Sequence, residues 1–290
     1  MELWFLLAVA TAFFWGTSGI FAKLSTGRLG VYRVALIITM VEGPMYVVAF
    51  LLLREPMHIS LADGILAFGS CFIGICGYLS YFESIIDGQV SIVGTISAAY
   101  PVLTVAGAIL LFSESLTSVQ AVGIVAIIGG VVALSYEPNP GSVNSLPRRS
   151  LIFAMMAFFL WGAWSLSSKA AIDRIGAGNL FGFYVLSSLT APLLYAWVRK
   201  VKPGGLVGTD PSRKAWVLGG IALLLNVVGA FAYSYALEDG TASLVGPTSS
   251  AYPLVTVVIA LALLKERISR MQSLALVGVV AGLVLLGITV

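Results

Sequence analysis

The side chains able to do chemistry are few, and the charged ones that matter lie deep in apolar sequence. Glu42 falls near the middle of an apolar run over roughly residues 30–53, and Glu83 about one helical turn from the end of another at 61–86. A carboxylate at bilayer depth costs several kcal/mol and must find a partner, a proton or water. Desolvation favours the neutral carboxyl form, so either residue is a proton-coupling candidate. The structural alternatives are a protonated Glu42 bonded to a neighbouring hydroxyl and an interfacial Glu83. Other chemistry has little material, because the chain holds 2 Cys and 1 His. Cys71 and Cys76 are five residues apart, about 7.5 Å of helical rise and ~140° of rotation, so they cannot bridge. His58 stands in a loop-like stretch, Arg54-Glu-Pro-Met-His-Ile-Ser60. A Ser-His-Asp triad, a Cys-His pair or a metal cluster has almost no material to be built from. No catalytic residue, metal or cofactor is expected, and the chain is not read as an enzyme.

Aromatic and hydroxyl residues fall into stripes. Ser97, Tyr100 and Thr104 stand at i, i+3 and i+7, and Ser249, Tyr252 and Thr256 repeat the pattern, each on one helical face. Trp161, Trp164, Ser165 and Ser168 make another stripe, to which Thr11, Trp15 and Ser18 correspond, and Tyr78, Tyr81, Asn226 and Tyr233 add amphipathic bulk. The substrate-binding candidates are Trp15, Tyr78, Tyr81, Ser97, Tyr100, Trp161, Trp164, Asn226, Tyr233, Ser249 and Tyr252. Together they could line a mid-depth cavity that stacks on and hydrogen-bonds a small amphipathic solute. The competing reading is packing, since small and hydroxyl residues let membrane helices approach closely. Pro101 and Pro253, inside otherwise helical apolar runs, are hinge candidates, and Pro44 follows Glu42-Gly43; each removes a backbone hydrogen bond.

These residues must be positioned by membrane helices. Of 290 residues, 59% are hydrophobic and 10% charged, and the mean hydropathy is +1.01. Soluble domains carry about 25% charged residues. This chain cannot cover itself with polar groups, which excludes soluble enzymes and disordered scaffolds; a net charge of +3 is too thin for nucleic acid. At about 20 apolar residues per crossing, ten helices are predicted near 3–24, 30–53, 61–86, 90–112, 116–136, 149–172, 178–198, 214–237, 241–264 and 269–289. The first lacks the basic start and cleavage site of a signal peptide and is expected to be retained. Glu137 to Pro147, rich in Pro and Asn, reads as a linker, and Arg199 to Lys214 as a basic connection.

Two halves repeat. Trp15-Gly16 followed by Lys23 recurs as Trp161-Gly162 followed by Lys169, and Gly77 to Gly130 aligns without gaps on Gly229 to Gly282 with 19 identities over 54 positions. Among them are Asp87-Gly88/Asp239-Gly240, Ser91/Ser243, Val93-Gly94/Val245-Gly246, Ala99-Tyr100-Pro101/Ala251-Tyr252-Pro253, Glu114/Glu266 and Gln120/Gln272. The expected units are residues 1–136, a linker at 137–148, and 149–290. An odd number of helices per unit makes the second copy enter the membrane inverted. Thirteen Lys and Arg fall at odd-numbered loops and three (Arg54, Lys169, Arg174) at even ones, which places odd loops in the cytoplasm and both termini outside. Gly278 and Gly282, matched by Ala126 and Gly130, form small-residue faces, with packing inside the chain as the default over a dimer seam.

The Trp-Gly pair opening each half, the stretch Asp239-Gly-Thr-Ala-Ser-Leu-Val-Gly-Pro-Thr-Ser-Ser-Ala-Tyr-Pro253 and the following Leu264-Lys-Glu-Arg-Ile268 resemble the drug/metabolite transporter superfamily, specifically its ten-helix EamA-type members. The resemblance covers the whole chain; the first half departs from it with Ser113-Glu114-Ser115 where the second has Lys265-Glu266-Arg267. It implies an all-α integral membrane fold of ten transmembrane helices in two inverted five-helix repeats. It also implies a cavity open to one side at a time in the inner or plasma membrane. The function implied is secondary active transport of small metabolites by alternating access, with export of amino acids or related amphipathic solutes preferred. An importer or facilitator of the same fold, for another metabolite or a drug, is the alternative; a channel, a receptor or an intramembrane enzyme ranks lower. The expected partners are a small-molecule substrate and the lipid bilayer, with the chain a monomer or homodimer. No Walker motif is present for ATP coupling.

Overall fold

A computed structural model describes residues 2–87, 93, 96–134, 147–200, 212–259 and 269–289, with the side chains of Lys23 and Asp87 set aside. The predicted linker at 137–146, most of the basic connection (201–211), Ser91, Gly94 and Leu264 to Ile268 lie outside the described residues. Every described element is helical. Helices α1 (Leu3–Leu29), α2 (Val31–Leu53), α3 (Leu61–Asp87), α6 (Arg148–Ile175), α7 (Ala177–Val198), α8 (Arg213–Asp239), α9 (Ala242–Ile259) and α10 (Arg270–Ile288) are long and apolar enough to cross a membrane. Two shorter apolar helices complete the described set, α4 (Ile96–Phe112) and α5 (Ser118–Leu134). The protein is a multi-spanning helical bundle.

Local sequence explains the ends of these rods. Gly30 and Gly176 hold φ of 75° and 76°, values that a side chain would strain, and each turns one helix directly into the next. Reciprocal capping closes two others. The Thr117 hydroxyl accepts the Gln120 N–H while Gln120 accepts the Thr117 N–H, and Ser269 with Gln272 does the same at α10. That shared device is the reason Gln recurs at 120 and 272.

The surface is the reverse of a soluble protein's. Leu52, Leu110, Leu193 and Leu274 are each more than two-thirds exposed, pointing where acyl chains would lie, while the interior holds small and hydroxyl residues. The most extensive packing pairs α1 with α8 and α3 with α6; α2 lies on α7, α5 on α10, and α9 on α4. Between α5 and α10 the backbones nearly touch. A Cβ on Gly282 would stand 2.6 Å from the Gly123 carbonyl oxygen, and one on Gly130 would stand 2.6 Å from Val279. The small-residue faces are therefore spent on packing within the chain.

Three helices are irregular at depth. In α4 a turn at Ala99-Tyr100 precedes Pro101, and in α9 a turn at Ser250-Ala251 precedes Pro253, so both hinge candidates sit just after a break in equivalent helices. In α2 the segment Ile38–Glu42 is a π-helical turn, after which Gly43-Pro44 restarts the α-helix. Such turns widen the helix by one residue and are frequent at functional sites. Thr39 ties this turn to α7, its hydroxyl donating to the Ser188 carbonyl at 2.8 Å.

Candidate functional site

The irregular segments border a cavity of about 140 Å³ at the centre of the bundle. Its walls come from α1, α2, α3, α4, α6, α7, α8 and α9. Ten of its nineteen lining residues are aromatic and Glu42 is the one charged residue among them, so its chemistry is that of π-faces around a carboxylate.

Glu42 is 5% exposed and is reached from α8, where the Asn226 amide donates to its Oε1 at 3.0 Å. The Tyr78 hydroxyl on α3 donates to the Asn226 Oδ1, and the Asn226 backbone carbonyl accepts the Trp15 indole N–H at 3.2 Å. One asparagine thus joins α1, α2, α3 and α8, orienting the carboxyl group. No described cation forms an ion pair with Glu42.

The rings are held by contacts among themselves. Trp164 stacks on Tyr233 at 4.9 Å between centroids, Trp15 lies 5.3 Å from Tyr233, and Trp161 is flanked by Tyr78, Tyr81 and Tyr100 at 5.5 to 6.0 Å. Tyr46 stacks on Tyr184 at 4.6 Å, and Tyr184 in turn accepts the Trp164 indole N–H at 2.7 Å. With the N–H groups of Trp15 and Trp164 occupied, what these indoles present to the space is π surface.

Of the substrate-binding candidates, Trp15, Tyr78, Tyr81, Tyr100, Trp161, Trp164, Asn226 and Tyr252 line the cavity. Tyr233 stands behind the wall, its hydroxyl 2.6 Å from that of Ser165. Ser97 turns back to its own helix, donating to the Val93 carbonyl at 2.6 Å. Ser249 is buried without a hydrogen-bond partner, as are the hydroxyls of Tyr100 and Thr104. Thr256, the counterpart of Thr104, differs: its hydroxyl donates to the Gly16 carbonyl at 2.8 Å. Ser18, from the α1 stripe, also lines the space, as do Tyr46 and Tyr184, which sequence reasoning passed over. Tyr46 is one helical turn past Glu42 and was legible on that face; Tyr184 has no aromatic counterpart in the first half and gave no signal.

Glu83 belongs to a different place. It is 2% exposed, and its carboxylate accepts from Tyr195 at 2.7 Å, from the Arg199 Nε at 2.8 Å and from Arg149. This cluster ties the C-terminal ends of α3 and α7 to the N-terminal end of α6. Glu114 accepts the backbone N–H groups of Ala242 and Ser243, both at 2.9 Å, and so caps the start of α9. Lys169 reaches Asp173 and the Leu237 carbonyl at the opposite end of the bundle. Among the described residues no three His, Cys, Asp or Glu side chains gather as metal ligands.

Comparison with known proteins agrees with this architecture. One solved crystal structure superposes over 99% of both chains with a TM-score of 0.79 at 19% identity, a likeness of fold. An uncharacterized protein of Methanocaldococcus jannaschii is 30% identical over 140 residues, which is 97% of that protein but 48% of this chain. The sequence pattern of the EamA-like transporter family matches twice, at residues 2–136 and 148–288. With nearly its whole length matched in these two passes, the chain belongs to the EamA-like transporter family.

Proposed function

We propose that the protein is a secondary transporter that carries a small amphipathic metabolite through the central cavity by alternating access, with Glu42 as the coupling carboxyl group. The observation that carries this is the placement of one buried carboxylate in an aromatic cavity walled by helices of both halves, next to three helices broken at depth. The solute class is one with an ammonium group and an apolar or aromatic body.

The same reading takes the chain as ten crossings in two inverted five-helix units, 1–136 and 149–290. The two family matches support it, as does a relative of about half the length. The helix pairing supports it too, since exchanging the halves turns the α1–α8 pair into the α6–α3 pair. The Thr256 hydroxyl is bonded to Gly16 while that of the matching Thr104 has no partner, so the two halves differ in hydrogen bonding at this position. Alternating access requires such an asymmetry. With odd loops cytoplasmic, the lining residues of α3 from Ile75 to Phe82, and Ser18, Gly19 and Ala22 of α1, lie on the cytoplasmic half of their helices, while Trp15 and Asn226 stand mid-helix, an arrangement suited to loading a solute for export.

The test is transport by purified protein in proteoliposomes, with labelled amino acids and amines, with and without an imposed pH gradient. Saturable uptake that shows counterflow establishes a carrier. Non-saturating flux indicates a channel, and no movement of any solute overturns the reading.

A further inference from the structure

We infer that the cavity selects small organic cations without a carboxylate, primary or quaternary ammonium compounds with a flat apolar body, and that Glu42 is their counter-charge. The translocation of such a cation rests on the transport reading above; its binding does not.

The first argument is the charge of the site. Glu42 is nineteen-twentieths buried, lines the cavity and receives one hydrogen bond, from Asn226. Two hydrogen-bond acceptors on a carboxylate leave room for a second donor, and no described cation supplies it. Glu83 shows what a structural acid looks like in this fold: two arginines and a tyrosine saturate it. Glu42 has been given no such partners. A buried carboxylate left open toward a cavity is completed by a cation arriving with the ligand, and the low local dielectric strengthens that attraction.

The second argument is the wall. The rings of Trp15, Tyr78, Trp161, Trp164 and Tyr252 border the space, and two of the three indoles have their N–H groups engaged elsewhere. Ring faces carry negative quadrupole charge and attract ammonium groups, most strongly when desolvated. A ligand carboxylate placed here would find only neutral donors such as the Tyr100 hydroxyl, and the lining residues include neither lysine nor arginine to balance its charge. An anionic solute is repelled, and a zwitterion gains at one end what it loses at the other.

A charge series on one skeleton tests this. Purified protein is titrated with phenethyltrimethylammonium, neutral N-acetylphenethylamine, zwitterionic phenylalanine and anionic phenylpropionate, following the fluorescence of the wall tryptophans. The expected result is saturable binding of the cation, at least about tenfold tighter than any of the other three. Glu42→Gln should remove that preference while leaving the weak affinity for the neutral compound in place. Equal affinity for the neutral or zwitterionic compound overturns the inference, as does an unchanged preference in Glu42→Gln. The wild-type series decides by itself should the variant fail to fold. Counterflow of labelled cation in proteoliposomes separates the two claims. Selective binding with no movement overturns transport and leaves the cation site. Carrier-type movement with charge-blind binding does the reverse.

Discussion

At the scale of single residues, Glu42 and Asn226 carry the argument. One carboxylate oxygen cannot hold a proton and an ammonium group at full strength together, so protons and cations compete for Glu42. Acidification should therefore weaken cation binding. The other ionisable side chains beside it, Tyr46 on α2 and Tyr78 on α3, are phenols and not carboxyl groups. Glu42→Gln should abolish any dependence of transport on a pH gradient while leaving the protein folded; unchanged pH-driven flux in that variant ends the proton role. Asn226→Ala strips partners from Tyr78 and Glu42 at once. Each buried polar group left unsatisfied costs about 1–3 kcal/mol, so thermal unfolding in detergent should move down, and solute affinity should fall with it.

At the scale of elements, the α5–α10 contact is the most sharply defined. Backbone meets backbone there because Gly123, Gly130 and Gly282 have no side chains to keep the helices apart. Gly282→Leu should destabilise by at least the roughly 1–3 kcal/mol of an overpacked core, read as a lower melting midpoint. It should leave the cation preference of the remaining folded protein intact, since neither helix lines the cavity. Gly278→Ala is the contrast: its Cβ would meet only the Ala126 carbonyl, at 3.9 Å, and stability should hardly change. The breaks in α4 and α9 were legible from Pro101 and Pro253. In α2 Pro44 signalled a break, since it cannot donate to the carbonyl of Met40, but the π form of Ile38–Glu42 and its bond from Thr39 to α7 were not legible.

At the scale of the whole molecule, topology is the testable property. With thirteen basic residues at odd loops, both ends of the chain should face away from the cytoplasm. A cysteine introduced at Thr289 in a Cys71→Ser, Cys76→Ser background should be labelled in intact cells by a membrane-impermeant maleimide. Labelling only after lysis would invert the assignment. Arg149 and Arg199 then lie at the cytoplasmic end, where they bind Glu83. The sequence offers Glu83 as a coupling candidate, but its ion-pair partners stand at the ends of α6 and α7, far away along the chain.

Much of this was decided by the order of residues alone. Apolar runs of bilayer length, a duplicated Ala-Tyr-Pro and Trp-Gly pattern, and skewed loop charge are properties of the chain that do not depend on how helices meet. They follow from the solvent, which admits only helices with satisfied backbones and sorts charge to one face. The tertiary structure decided which polar groups are partnered. Two glutamates that were both coupling candidates in sequence became different things, Glu83 saturated by arginines of distant helices and Glu42 left facing a ring of aromatics with one asparagine. Hydroxyls at matched positions likewise parted, Thr256 bonded and Thr104 not. Helical periodicity assigns a residue to a face of its own helix, but its partners come from segments up to 240 residues away, and only packing brings those together.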